Sequence, residues 1–289
     1  MITIFTPTYN RAHLLPRLFE SLVTQKNKNF KWLVVDDGST DNTKELIDQF
    51  STEADFKITY IFQSNQGKHV AINTALENID TTYFLTIDSD DKMVENGINL
   101  IYKKIDLIDE DDTLAAIASP IYVVNHPNLD KYKPLAKDNL IYNSFGSGKG
   151  YEKNLLGENS YIFKTNIAKQ YPYPVFEGEK FLKESIVFKR ISCLYNFLYI
   201  KDTVVVAEYQ EDGLSSDFIQ LLKNNPKGAA ISFEELMNYT QIPFKKRIHY
   251  ALVYWDFETL SGETSFLKRL RKIKSNRLKI AFILKKYFL

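Results

Sequence analysis

Tyr83-Phe84-Leu85-Thr86-Ile87-Asp88-Ser89-Asp90-Asp91 runs from apolar residues straight into three carboxylates within four positions. Tyr83 to Ile87 reads as a buried strand, bounded by polar residues on both sides. An ionised acid buried without a partner is very costly, so the carboxylates must lie at the strand's end. Three acids this close also raise one another's pKa unless a cation joins them. Hard divalent ions such as Mg²⁺ or Mn²⁺ prefer such oxygen ligands and often share them with phosphates. The plainer reading is an acidic turn that ends a strand in solvent.

The residues before this stretch repeat one unit. Met1 to Phe5 reads as a strand, and Asn10 is placed to cap a helix whose stripe is Leu14, Leu15, Leu18, Phe19 and Leu22. Lys31 to Val35 is a second strand and ends in Asp36-Asp37-Gly38-Ser39. Ser39 or Thr40 is then the expected cap of a helix to about Phe50. Lys57 to Phe62 is a third strand and Gly67 to Asn78 a third helix. Alternating strands and helices predict an α/β fold, with a mainly parallel, doubly wound sheet flanked by helices. Sheets of this kind bind ligands beyond the carboxyl ends of their strands. Thr8-Tyr9-Asn10-Arg11, Asp36-Asp37 and Asp88-Ser89-Asp90-Asp91 all fall at that edge.

Beyond Asp91 the pattern predicts a helix from about Val94 to Ile108 and a strand-like run from Ala115 to Val124. A polar stretch, roughly His126 to Lys153, has the composition of a long functional loop. Ser160 to Phe163 resembles a strand, Phe181 to Tyr195 has helical periodicity, and Thr203 to Ala207 is a last strand. From Gly213 on the chain is helical. Lys268 to Leu289 holds many Lys and Arg residues and no acid, with Leu270, Ile273, Leu278, Ile280, Ile283, Leu284 and Phe288 between them. A basic amphipathic helix suits an anionic membrane surface. A terminal helix packed on the domain explains the same residues.

A net charge of +1 gives no sign of a nucleic-acid partner. Cys193 is the only cysteine, which excludes an internal disulfide and fits a reducing compartment. Its apolar surroundings predict a buried, unreactive thiol. The first strand begins at Ile2 and no window is apolar enough to span a bilayer, so the expected location is cytoplasmic, peripheral to the membrane at most.

In order and spacing, Thr6-Pro7-Thr8-Tyr9-Asn10-Arg11, Val34-Val35-Asp36-Asp37-Gly38-Ser39-Thr40-Asp41 and Asp88-Ser89-Asp90-Asp91 resemble the motifs of family 2 glycosyltransferases. The likeness is close over about the first 100 residues, looser to about residue 215, and absent from the C-terminal helices. It implies a GT-A (Rossmann-like) domain over residues 1–215, with a nucleotide-sugar half at 1–100 and an acceptor half at 101–215. Residues 216–289 then form a C-terminal helical extension. It also implies sugar transfer from a nucleoside-diphosphate donor, most simply a UDP-sugar, with inversion, to a hydroxyl of a glycan or lipid-linked oligosaccharide. Capsule, O-antigen or exopolysaccharide assembly is the expected setting.

By resemblance, Asp37 meets the nucleotide base, with Pro7 and Tyr9 lining that pocket and Thr8 on the donor side. Asp90 matches the family's metal-binding acid, for Mn²⁺ or Mg²⁺. Asp88 faces the ribose or the metal, and Asp91 is a third, outer acid. Arg11 and Ser89 belong to the donor side, and Lys68, with the Gly67-Lys68 backbone, is placed to meet the diphosphate. His69 beside it reads as structural. The family's general base is an acid at a helix start followed by an arginine, which points to Glu184, ahead of Arg190. The usual residue is aspartate, and glutamate supplies the same proton acceptor on a longer arm. Glu179 is the rival, and Glu158 is a further acceptor-side candidate. Tyr209 to Ser215 occupies the place of a closing loop but lacks the histidine many members carry there.

Two other readings compete. A nucleotidyltransferase needs a glycine-rich phosphate loop after the first strand, and Thr8-Tyr9-Asn10-Arg11 has no glycine. A nucleotide-sugar-binding or membrane-scaffold protein without turnover would have little use for an intact set of acids.

Overall fold

The computed structural model describes residues 1–124, 138–145, 158–208 and 218–287. They group into two units, Met1–Pro172 with Val187–Glu211, and Tyr173–Ile186 with Asp212–Leu289. The sequence divides the chain near residue 215. The structure places Tyr173–Ile186 with the C-terminal helices instead.

The first unit is built on an eight-stranded sheet. Its first half is β1 (Ile2–Thr8), β2 (Phe30–Asp36), β3 (Lys57–Phe62) and β4 (Tyr83–Thr86), joined by α1 (Leu15–Val23), α2 (Thr43–Glu53) and α3 (Lys68–Asn78). The chain continues through β5 (Asp91–Met93), α4 (Gly97–Asp109), β6 (Leu114–Pro120), β7 (Tyr122–Val124), β8 (Leu140–Tyr142) and β9 (Asn159–Lys164). After α5 (Thr165–Ala168) and α6 (Ser185–Ile191) come β10 (Asn196–Tyr199) and β11 (Val205–Glu208). The strand order is β3-β2-β1-β4-β9-β6-β10-β8. Strands β1 to β4 are mutually parallel, as is β6 with β10, while β9 runs antiparallel to β4 and β6. A small second sheet, β5-β11-β7, lies where the acids end.

Burial explains this order. β1 is buried along its whole length, and two of its threonines find partners there: Thr3 Oγ1 lies 2.7 Å from Thr81 Oγ1, and Thr6 Oγ1 accepts the Trp32 indole N–H at 3.0 Å. Leu15, Leu18, Phe19 and Leu22 of α1 close one face, and Phe19 stacks on Phe50 of α2 at 4.0 Å between centroids. Each such side chain removed from water contributes about 1.5–3 kcal/mol.

Several local expectations are corrected. Asn10 does not cap α1. It sits at φ 52°, and its side chain accepts the Thr40 amide at 2.8 Å, while Pro16 starts the helix from within its first turn. Ser39 and Thr40 do not cap α2 either. Asp41 does the local work, accepting the Thr43 amide at 3.1 Å and the Thr43 hydroxyl at 2.6 Å. The helix predicted from Val94 begins only at Gly97, because the Val94 amide and carbonyl bond Val204 and Gln25. The helix predicted over 181–195 shrinks to α6: the Phe181 amide donates to Asn225 Oδ1 at 3.0 Å, and 192–194 form a turn that leads into Asn196–Tyr199, a core strand paired with β6. Cys193 is exposed, contrary to expectation, because α6 ends before reaching it.

The second unit has its own core. It contains α7 (Phe218–Asn224), α8 (Pro226–Asn238), α9 (Phe244–Leu260), α10 (Phe266–Lys272) and α11 (Asn276–Tyr287). Phe233, Met237, Tyr254, Trp255, Ile273, Leu278 and Phe282 fill it. Arg269 is buried there, its guanidinium 4.1 Å from the Trp255 ring centroid and bonded to Thr259 Oγ1 at 2.6 Å.

Candidate active site

β1, β2 and β4 end side by side, with Thr8 opposite Asp36 and Phe5 opposite Thr86 in the parallel register. Their end loops are stitched together. The Asn10 amide donates to Ser39 Oγ at 2.8 Å and the Ala12 amide to Asp41 Oδ2 at 3.0 Å. Gly38 (φ +89°) brings this loop so close to Asn65 that a Cβ would lie 2.8 Å from the Asn65 amide nitrogen.

Asp37 is 5% exposed, and its carboxylate accepts three hydrogen bonds: Gln63 Nε2 at 2.7 Å, the Gln66 amide at 2.9 Å and the Gly67 amide at 2.7 Å. The carboxylate thus fixes the turn that opens α3. The Gly67 amide, offered by the sequence to a phosphate, is taken by Asp37. Pro7 and Thr8 close the buried end of β1, and the Tyr9 ring beyond them is exposed. His69 is buried, and burial holds its imidazole below the usual range, against the pull of Asp37.

The three acids of the opening stretch come together. One oxygen from each of Asp88, Asp90 and Asp91 lies within 4.8 Å of the others. The Asp91 amide donates to the Asp88 carbonyl at 3.0 Å, so a tight turn brings them round, with buried Ser89 inside it. Lys68 Nζ stands 2.7 Å from both Asp88 oxygens, and Arg11 Nη1 lies 3.2 Å from Asp90 Oδ2. Burial above all, then the charges of Asp88 and Asp90, push the Asp91 carboxyl up to about 8, against the pull of Lys68 and Arg17. Repulsion among clustered acids is what a bound cation relieves. The all-oxygen donor set therefore fits Mg²⁺ or Mn²⁺, although two side-chain cations already offset part of the charge.

Arg17, Ser21 and Gln25 were not singled out from the sequence, yet they hold this turn. Spaced four apart, with Arg17 and Ser21 on α1 and Gln25 just past its end, they bond the backbone from Asp90 to Ile98. Arg17 donates to the Asp90 carbonyl and pairs with Glu208 at the end of β11. Ser21 Oγ accepts the Met93 amide at 3.0 Å. Gln25 donates to the Val94 carbonyl at 2.7 Å and accepts the Ile98 amide at 3.1 Å. The available signal was a polar stripe beside the apolar one.

Glu179 and Glu184 belong to the second unit. Glu179 is 9% exposed and spans the start of α8, accepting the Lys227 amide at 2.8 Å and the Gly228 amide at 2.7 Å. A carboxylate there satisfies orphan helix donors and complements the dipole. Glu184 directly precedes α6, half-buried, and its carbonyl accepts the Tyr173 hydroxyl at 3.4 Å. Glu158 is exposed and uses its carbonyl to bond the Ile121 amide at 3.0 Å. Tyr209 to Ser215, and all of the 126–153 stretch except 138–145, lie outside the described residues.

A mostly parallel α/β sheet flanked by helices, with a trio of carboxylates at the carboxyl ends of its strands, is the architecture of the GT-A glycosyltransferase fold. The profile of Glycosyl transferase family 2 matches residues 3–168, and the chain belongs to that family. It is 41% identical over 104 residues to glycosyltransferase GlyA of Streptococcus pneumoniae serotype 4, a stretch that is 36% of this chain but 15% of GlyA. Residues 1–349 of S. aureus TarS in complex with UDP-GlcNAc superpose with a TM-score of 0.57 at 18% identity, over 98% of this chain and 78% of that one. A mannosyltransferase from Pyrobaculum calidifontis in complex with GDP-Man and Mn²⁺ gives 0.59 at 16% identity, over 99% and 87%. At these identities the two structures speak for the fold.

Proposed function

We propose that this chain transfers a sugar from a nucleoside-diphosphate donor, a UDP-sugar in the first instance, to a hydroxyl of a glycan or lipid-linked oligosaccharide in cell-surface polysaccharide synthesis. One observation carries the reading: Asp88, Asp90 and Asp91 converge at the carboxyl edge of the sheet, within reach of Lys68 and Arg11. Clustered acids beside two cationic side chains suit a divalent ion and a diphosphate together, and do not suit a neutral ligand.

Asp37 shapes the base pocket by holding the 63–67 turn, with Pro7, Thr8 and the exposed Tyr9 ring as its walls. Asp90, Asp88 and Asp91 hold Mn²⁺ or Mg²⁺, which when bound offsets the charge developing on the departing diphosphate. Lys68 and Arg11, beside Asp88 and Asp90, are the cations placed to meet the phosphates. Glu184 takes the proton of the acceptor hydroxyl. Glu179 serves instead as an anchor, since both of its oxygens already accept amides of α8. The chain works at the inner face of a membrane, reached through its C-terminal helices.

Nucleotide release from a panel of UDP-, GDP- and TDP-sugars tests the assignment. Asp90→Ala abolishes Mn²⁺-supported release. Glu184→Gln retains nucleotide binding and loses transfer by about 10²–10⁴-fold. Near-normal turnover in Asp90→Ala removes Asp90 from the metal role, and a normal rate in Glu184→Gln moves the base elsewhere.

A further inference from the structure

Helix α11 is apolar on two opposite sides. Leu278 and Phe282 are fully buried, with the Phe282 ring 4.9 Å from that of Trp255. Ile280, Leu284 and Tyr287, spaced four and three apart, form a second stripe that is 62%, 49% and 54% exposed. At 100° per residue this stripe lies roughly opposite the buried one. The Phe266 ring at the start of α10 stands 6.4 Å from that of Tyr287 and is itself exposed, as is neighbouring Leu267. Contiguous large apolar side chains on a surface mark a place where something binds.

The charge around the stripe is of one sign. Lys268 to Leu289 carries nine Lys and Arg residues and no acid, so with a net charge of +1 overall the preceding residues stand at a formal −8. Lys268, Lys272 and Lys286 are paired with Glu263, Glu234 and Asp256. Among the described residues, Arg271, Lys274, Lys279 and Lys285 make no ion pair. Lys279 and Lys285 are the sequence neighbours of Ile280 and Leu284.

The geometry points to the anionic surface of a lipid bilayer as the occupant: α11 lies in the headgroup plane, with Ile280, Leu284, Tyr287 and Phe266 toward the acyl boundary. This deepens the placement at a membrane stated above, and rests on it. A nucleic acid would use the cations and leave the apolar stripe in water. A second copy of the chain would bury the stripe and set like charges against each other. A bilayer satisfies both, because long basic side chains reach up to the headgroups while apolar ones go down. One half of α11 therefore builds the helical core, and the other half is free for the membrane.

Flotation of the full chain with vesicles of phosphatidylcholine, alone or mixed with phosphatidylglycerol, tests this. Binding is expected to the mixed vesicles, about tenfold or more above the neutral ones, and to weaken in high salt. Ile280→Asp with Leu284→Asp abolishes it while leaving the thermal melting temperature unchanged, because both side chains are exposed. Arg271→Glu with Lys285→Glu does the same. Leu284→Trp gives a fluorescence signal quenched by brominated lipid, against buried Trp32 and Trp255. Asp90→Ala retains full vesicle binding, so loss of turnover and loss of docking are read separately. No preference for anionic vesicles, or full binding by the Ile280→Asp, Leu284→Asp chain, overturns the proposal. So does concentration-dependent dimerisation that the same pair of substitutions removes.

Discussion

Gly38 shows how tightly single residues are constrained near the acids. At a φ of +89°, and with only 2.8 Å between the place a Cβ would take and the Asn65 amide nitrogen, it has no room for a side chain. Gly38→Ala is therefore expected to lower stability by about 1–3 kcal/mol, read from the urea midpoint. An unchanged midpoint contradicts the close approach. Asp88, Asp90, Asp91 and Asp37 were all visible in the sequence, because acids at strand ends announce themselves locally. What Asp37 does was not, since its partners Gln63, Gln66 and Gly67 lie 26 to 30 positions away. Glu179 was hidden for the same reason: the amides it accepts come from Lys227 and Gly228, nearly 50 residues on.

Helix α1 does more at the level of elements than cover the sheet. Its apolar stripe was legible from periodicity. The polar series of Arg17 and Ser21 on it and Gln25 just past its end was not, because each of these residues reads alone as solvated surface. Gln25 is buried with both ends of its amide engaged. Gln25→Leu leaves the Ile98 amide and the Val94 carbonyl without it, at a cost of about 1–3 kcal/mol in chemical denaturation. Arg17 acts on the site through the Asp90 carbonyl, and so is a positioning residue. Arg17→Met is expected to weaken Mn²⁺ binding by about 10–100-fold in a direct metal titration, with the fold retained. Unaltered Mn²⁺ affinity restricts Arg17 to a structural role. Short strands were the hardest elements to read. Asn196–Tyr199 is a strand because β6 lies beside it, a tertiary fact that local propensity does not contain.

At the scale of the whole molecule, the alternating strands and helices of the first 100 residues made the α/β unit legible, whereas the grouping of Tyr173–Ile186 with the C-terminal helices depends on remote contacts. Global stability should also carry the mark of Lys189, which donates to the Ser144 carbonyl and lies 4.8 Å from the Phe145 ring centroid. Burial lowers its ammonium from an ordinary 10.5 to about 8. Between those two values the unfolded chain holds a proton that the folded chain has shed, so this group makes stability rise with pH across that window. Lys189→Met removes the rise, seen as a smaller gain in melting temperature from pH 8 to pH 10 than in the unmodified protein. The central claim is that the three acids build a metal-dependent nucleotide-sugar site. Calorimetric titration with UDP, GDP and TDP, each with and without Mn²⁺, tests it most directly. Binding of one nucleotide that requires Mn²⁺ and is lost in Asp90→Ala is the predicted result; no binding of any of them, or binding indifferent to both metal and Asp90, contradicts it.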